Sequence, residues 1–317
     1  MALLKYILKK MLMLLPVLVG ISIIAFALGI MSPGDPVDQV LNPNGNESYT
    51  QAEYDAMAAK MGLDQPAVVQ YFNWVDGLVH GDLGRSFFTN KSVMDQLVKR
   101  IPISLKLAGF SMLLTILFGV GFGILMAVRK DRLLDHVLGT FSTAALSVPG
   151  FWIAIVLIFL FAEQWKLLPS SGISGGSGFI LPAVTLALPS IGVCARLTRS
   201  AILDEIGRQY MTVADAKGMS RRHAVVCHAF GNALIPIITY LGNHMAGIIG
   251  GASIVETIFA IPGIGSYAIA GVQSKDYYVV QAYVLFSGCI YVLTNILIDL
   301  IYIALDPKIR AGEAVES

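Results

Sequence analysis

The sequence predicts an all-α polytopic membrane protein with six transmembrane helices. Three observations carry that prediction. Hydrophobic residues make up 56% of the 317, and charged residues only 14%, against about 25% in an ordinary soluble domain. Six long runs contain no Asp, Glu, Lys or Arg. Lys and Arg concentrate in alternate connections between those runs. So little charge cannot cover a water-soluble globule of this length.

The runs are Met11 to Met31, Leu107 to Val128, Val137 to Ala162, Phe179 to Ala195, Ala224 to Val255 and Tyr277 to Ile298. A bilayer core about 30 Å thick needs roughly 20 apolar residues per helix. Barrel strands are shorter and alternate in polarity, so continuous runs of this length predict helices. The first run is too long for the apolar core of a secretory signal, and no Ala-x-Ala site follows it. It reads as an uncleaved signal anchor. The fourth run carries Pro182, Pro189 and Gly192 and is expected inside the bundle, where neighbouring helices cover the freed backbone groups.

Orientation follows from basic residues in short loops. Fourteen fall on the side of Lys5, Arg129, Arg208 and Lys308, and only Lys166 and Lys275 fall in the opposite short loops. Both termini are therefore expected in the cytoplasm. This divides the chain into residues 1–31 (N-terminus and first helix), 32–100 (an extracytoplasmic segment), 101–304 (five more helices, with a loop at 203–231) and 305–317 (a cytoplasmic tail). The outer segment holds nine Asp and Glu against five Lys and Arg. Thr50 to Met61 and Pro66 to Val79 read as short helices. The segment is too small to bury much core alone, so it is expected to pack on the helix ends, as a solvated linker or as a dock for an external partner.

Several functions are excluded by what the sequence lacks. There is no Gly-x-x-x-x-Gly-Lys-Ser/Thr loop or His-Glu-x-x-His pair, and no nucleophile elbow of strand–turn–helix form is read, so no enzyme site and no ATP or other cofactor bound by this chain is expected. A net charge of +1 gives no bulk attraction to nucleic acid. Cys194, Cys227 and Cys289 lack metal-site or redox spacing, and no firm metal site is expected. Ionisable groups inside a membrane usually mark a path or a partner. Here Lys106, Glu256 and Asp299 all lie near helix ends, within snorkelling reach of an interface. No proton relay or inverted repeat of the kind found in ion-driven carriers is evident.

The most informative segment joins the fourth and fifth runs. It reads Asp204-Glu205-Ile206-Gly207-Arg208-Gln209-Tyr210-Met211-Thr212-Val213-Ala214-Asp215-Ala216-Lys217-Gly218-Met219-Ser220-Arg221-Arg222-His223. Gly218 suits a helix C-terminus, Lys217 complements the helix dipole, and Ser220 suits a following N-cap. The pattern predicts a helix–turn–helix on the cytoplasmic face. Ala214 and Ala216 allow close approach by another protein. The bland alternative is a basic loop resting on phospholipid headgroups.

These residues resemble the cytoplasmic motif of ABC-importer permeases, in the variant of the dipeptide, oligopeptide and nickel family. Asp215 stands where Arg is usual, while Ala214, Ala216, Lys217 and Gly218 fit. The resemblance runs along the chain. It includes Pro33-Gly34-Asp35-Pro36, Gly62-Leu63-Asp64-Gln65-Pro66, His80-Gly81-Asp82-Leu83-Gly84-Arg85-Ser86, Arg196-Leu197-Thr198-Arg199-Ser200, Val255-Glu256-Thr257-Ile258-Phe259, Ile261-Pro262-Gly263-Ile264-Gly265, Asp276-Tyr277 and Asp306-Pro307-Lys308-Ile309-Arg310.

The resemblance implies a type I importer permease fold and a multi-pass protein of the bacterial inner membrane. Its implied partners are a second, homologous permease, two ABC ATPase subunits that use ATP and Mg, and an extracytoplasmic substrate-binding protein. It also implies that Thr212, Ala214, Asp215, Ala216, Lys217, Gly218, Ser220 and Arg221 couple the chain to an ATPase subunit. Candidate translocation-path residues are Lys106, Asn243, His244, Met245 and Glu256. Peptides lead as cargo; nickel or a nickel chelate is the second class, because imidazole and soft ligands suit that metal. The competing functions are an ion-gradient-driven secondary transporter and a membrane scaffold or channel.

Overall fold

A computed structural model describes residues 2–31, 34–42, 45, 46, 48–173, 176–209, 211 and 230–305. Its regular structure is helical among those residues, apart from one isolated antiparallel bridge between Arg85 and Ser92. Two compact units are present. The first takes residues 1–104 and 262–292, and the second takes 105–261 and 293–317.

The first unit begins with α1 (Ala2–Ile30), which contains the first apolar run. The outer segment then forms three short helices, α2 (Pro36–Leu41), α3 (Gln51–Met61) and α4 (Ala67–Val79). Their ends are set locally. Asp35 caps α2 by accepting from the Val37 N–H at 2.8 Å. Thr50 and Glu53 form a reciprocal capping box on α3, which ends at Gly62 with φ of 70°, a conformation that costs glycine little. The segment does not build a separate core. Phe26 of α1 meets the rings of Tyr71 and Trp74 on α4, and Ser22 hydrogen-bonds the Tyr71 hydroxyl at 2.9 Å.

The same unit contains the first part of α5 (Val93–Leu114), α12 (Ile264–Gln273) and most of α13 (Tyr277–Leu305), the last carrying the sixth run. Leu83, Val93, Leu97, Ile264, Val279 and Ala282 make its buried apolar core. Asp276, 2% exposed, precedes α13. Burial pushes its carboxyl up, while the Ser86 hydroxyl and the N–H groups of Val279, Phe87 and Phe88 pull it back. One carboxylate thus caps α13 and pins the loop around Ser86.

The second unit is organised around α9 (Ile180–Ile206), the fourth run. α5 continues through a π-helical turn (Thr115–Val120) into α6 (Gly121–Val128), and both turn and helix pack on α9. So do α7 (Leu133–Ser147), α8 (Gly150–Leu157) and α10 (Phe230–Gly251). The proline-containing run lies at the middle of this unit, as its sequence suggested. Glycines make that packing close. A Cβ on Gly119 would lie 2.7 Å from the Cys194 Cβ, and one on Gly192 would lie 2.6 Å from the Ser142 carbonyl oxygen.

The helices refine the expected spans. Val93–Val128, Ser177–Ile206 and Tyr277–Ile301 are each long and apolar enough to cross a bilayer. The second span therefore starts 14 residues before its uncharged run. The third is not one straight helix: α7 and the helix from Gly150 to Gln164 are bent by 101°. Val148 before Pro149 is extended, with φ of −92° and ψ of 126°, as the proline ring requires of its predecessor. The fifth run is interrupted at Ala252, between α10 and α11 (Ser253–Ile258).

Candidate coupling and translocation site

The expected coupling residues Thr212, Ala214, Asp215, Ala216, Lys217, Gly218, Ser220 and Arg221, with the helix–turn–helix they define, lie outside the described residues. The described residues form the base on which that loop stands. Ile202 on α9, Met211, Ala233 and Ile237 on α10 and Ala127 on α6 form one buried cluster. Ile124, Val128, Ile206, Phe230 and Leu241 pack around it. Both ends of the loop are thereby held in apolar contact with the end of the second span.

A polar clamp closes the same base. Glu205, at the end of α9, is only 8% exposed. Its Oε2 accepts from the Asn232 side-chain amide at 3.3 Å, across a separation of 27 residues. Its Oε1 lies 2.9 Å from Arg208 Nε. An unpaired buried carboxylate costs far more than a paired one gains, so the clamp fixes where the loop leaves and re-enters the bundle.

A second polar tie joins α7 to α9. Arg199 donates through Nε and Nη2 to the two oxygens of Asp135, both at 2.7 Å. The Asp131 N–H also donates to Asp135, at 2.9 Å. The turn after α6, the start of α7 and the last third of α9 are thus fastened by one carboxylate. The fork geometry of a guanidinium on a carboxylate holds orientation as well as distance.

The expected translocation residues are dispersed over the elements. Lys106 is exposed on α5. Asn243, His244 and Met245 occupy one turn of α10, with Asn243 exposed and the other two half-buried. The His244 ring stacks on Tyr240 at 5.6 Å and 5°, and the Tyr240 hydroxyl donates to the Ser190 carbonyl at 3.2 Å. His244 Nε2 is buried with no hydrogen-bond partner among the described residues. Glu256 stands on α11 and is only 1% exposed. No three His, Cys, Asp or Glu side chains among the described residues converge to hold a metal ion.

Sequence reasoning did not find Asp135 as the partner of Arg199, nor the pairing of Glu205 with Asn232. The first had a usable signal, because a basic residue between two apolar stretches needs a counter-charge, and Asp135 is an acid flanking the third run. The second had none, because neither residue type is unusual at a membrane boundary.

Long apolar helices packed closely through glycines define an integral membrane protein built as a helical bundle. The chain belongs to the family described as the binding-protein-dependent transport system inner membrane component, whose sequence model matches residues 119–311. The family's N-terminal model matches residues 3–108.

The chain is 36% identical to the probable peptide ABC transporter permease protein y4tP of Sinorhizobium fredii, covering 96% of this chain and 99% of that one. It is 34% identical to the probable D,D-dipeptide transport system permease protein DdpB of Escherichia coli, covering 93% and 94% respectively. It is 32% identical to the dipeptide transport system permease protein DppB of the same organism, covering 97% and 99%. Among solved structures, a chain of the MetNI methionine ABC transporter in an inward-facing conformation superposes with a TM-score of 0.53 at 20% identity. The match covers 69% of this chain and 96% of that one. That likeness is one of fold.

Proposed function

We propose that this chain is one of two permease subunits lining the translocation path of an ATP-driven importer of short peptides. A second, homologous permease completes the path. Two ABC ATPase subunits, which hold ATP and Mg, work on it from the cytoplasm, and an extracytoplasmic binding protein delivers cargo. Both termini are cytoplasmic in this reading, as the distribution of Lys and Arg indicates. Thr212, Ala214, Asp215, Ala216, Lys217, Gly218, Ser220 and Arg221 dock the chain on an ATPase subunit. Lys106, Asn243, His244, Met245 and Glu256 contribute to the path in one conformation or another.

The observation that carries the reading is the braced base of the 203–231 loop. A loop that transmits force needs ends that do not give way. Here they are tied by Glu205 to Asn232 and packed around Ile202, Met211 and Ile237. The names of the similar permeases support peptides over nickel. Nothing favours a gradient-driven carrier.

ATP binding draws the ATPase pair together, and the loop moves with it. The permease pair then changes from inward-open to outward-open packing. Such a switch requires an ATPase pair that binds the two packings differently. The test is Gly218→Trp in the assembled transporter. Membrane insertion and complex assembly should persist while peptide uptake falls by at least about tenfold. Normal peptide uptake by that variant, or uptake by the chain without any ATPase subunit, would overturn the proposal.

A further inference from the structure

A cavity of about 550 Å³ opens in the second unit, walled by α7, α9 and the end of α6. Arg196 and Arg199 both line it. They stand three residues apart on α9 and so share one helix face. Asp135 occupies Nε and Nη2 of Arg199, which leaves Nη1 with no hydrogen bond among the described residues. Arg196 is exposed and makes no ion pair among them. Gly139 and Thr140 also line it, and a threonine carries a hydroxyl that can donate. His136, which is exposed, also lines it.

The surroundings are cationic and amphipathic. The turn before α7 exposes Arg129, Lys130 and Arg132, with Asp131 as its one carboxylate. Among the described residues Asp135 is the only acid lining the cavity, and its two oxygens are already committed to Arg199 and the Asp131 N–H. Immediately beside these charges, α7 exposes Leu133 at 80%, Val137 at 54% and Phe141 at 38%. A guanidinium pair with a hydroxyl suits the oxygens of a phosphate. An adjoining exposed apolar stripe suits acyl chains, and basic pockets between membrane helices are known to take anionic headgroups.

We propose that this cavity is a binding site for the phosphate of an anionic phospholipid, with Arg196 as its main ligand and Arg199, already positioned by Asp135, as the second. The lipid would sit against α7 and hold it to α9 from outside, as the Arg199–Asp135 pair holds it from within. This assignment does not depend on the cargo or on which side of the membrane the site faces.

The test uses the delipidated full-length chain in detergent, with phosphatidylglycerol, phosphatidylcholine or inorganic phosphate added separately. Native mass spectrometry counts bound lipid, and a melting curve reports stabilisation. Phosphatidylglycerol should bind and raise the melting temperature, and phosphatidylcholine should bind about tenfold more weakly, since it lacks net charge. Arg196→Gln should abolish that preference, and Arg196→Lys should keep part of it, because a point charge replaces a fork. If Arg196→Gln does not fold, the lysine variant and His136→Gln carry the comparison. Equal binding of both lipids, or an unchanged preference in Arg196→Gln, would overturn the site. Displacement of phosphatidylglycerol by millimolar inorganic phosphate would overturn the lipid in favour of a free anion.

Discussion

Arg199 and Asp135, 64 residues apart in sequence, meet through two parallel hydrogen bonds of 2.7 Å. The Asp135 side chain is 5% accessible and the Arg199 side chain 29%. One partner is therefore far less open to water than the other, so removing either leaves a different remainder. Arg199→Gln strands a buried carboxylate. Asp135→Asn leaves a guanidinium that still reaches solvent.

The first prediction follows from that asymmetry. Arg199→Gln should destabilise the chain by about 2–3 kcal/mol, in the upper range for hydrogen bonds to charged groups. Asp135→Asn should cost about half as much, because the uncovered guanidinium is solvated and the Asp131 N–H can still find an acceptor. Thermal unfolding of the four members of a double-mutant cycle in detergent gives both numbers and the coupling. Equal losses from the two single variants would remove the asymmetry argument.

The second prediction concerns Glu205. Its bond to Asn232 needs an acceptor oxygen rather than a charge, whereas its ion pair with Arg208 involves a side chain 66% accessible and so is worth little. Glu205→Gln should keep most transport in the assembled importer. Glu205→Leu should lose at least about tenfold, because the Asn232 amide is left without this partner and the loop base loosens. Peptide uptake and ATPase activity are measured together; falling uptake with persisting hydrolysis is the expected mark of lost coupling.

How far the sequence disclosed this architecture depended on the range of the interaction responsible. The outer helix α3 matches the span read from the sequence because local chemistry sets its ends, Thr50 with Glu53 and Gly62 with a left-handed backbone; α4 also matches, starting directly after Pro66. The membrane runs were legible because charge is costly there. The start of α5 at Val93 was not, because Asp95, Lys99 and Arg100 hide it from a hydropathy reading, while their helix is held by Leu83, Val279 and Ala282 from distant parts of the chain. The bend at Val148 and Pro149 was written in the sequence as a restricted dipeptide, but a proline in a membrane helix signals a small kink as readily as a turn of 101°. At the candidate site, the motif around Gly218 stood out as a pattern of residue types. Its supports, Glu205–Asn232 and Arg199–Asp135, are pairings that only the folded chain brings together.

The third prediction uses the glycines against α9. A methyl on Gly192 would press on the Ser142 backbone carbonyl, with its carbon 2.6 Å from the oxygen, whereas one on Gly109 meets nothing within 4 Å. Gly192→Ala should cost about 1–3 kcal/mol as an overpacked contact that no rotamer change relieves. Gly109→Ala should instead stabilise by about 0.5–1 kcal/mol through reduced backbone entropy in a helix. Melting temperatures of the two variants, prepared identically, should move in opposite directions.

The fourth prediction concerns pH and the outer segment. The Tyr54 hydroxyl donates to Asp35 Oδ2 at 2.6 Å, and that bond to a carboxylate is the main cause that pushes its phenol up to about 12 from an ordinary 10. Tyr49, which donates to Asp38 at 2.7 Å, is raised for the same reason. A group whose folded value lies above its unfolded value lends stability that is complete below the unfolded value and is lost as pH rises through the folded one. The tie between α3 and the cap of α2 should therefore hold in full below pH 10 and fail towards pH 12. Phenolate absorbance, compared between the native chain and Tyr54→Phe, should show the missing tyrosine among the last to ionise. If the difference spectrum instead titrates at an ordinary tyrosine value, the Tyr54 hydroxyl is not engaged with Asp35. The short helix from Pro36 to Leu41 would then be capped by a carboxylate that nothing else on α3 holds in place.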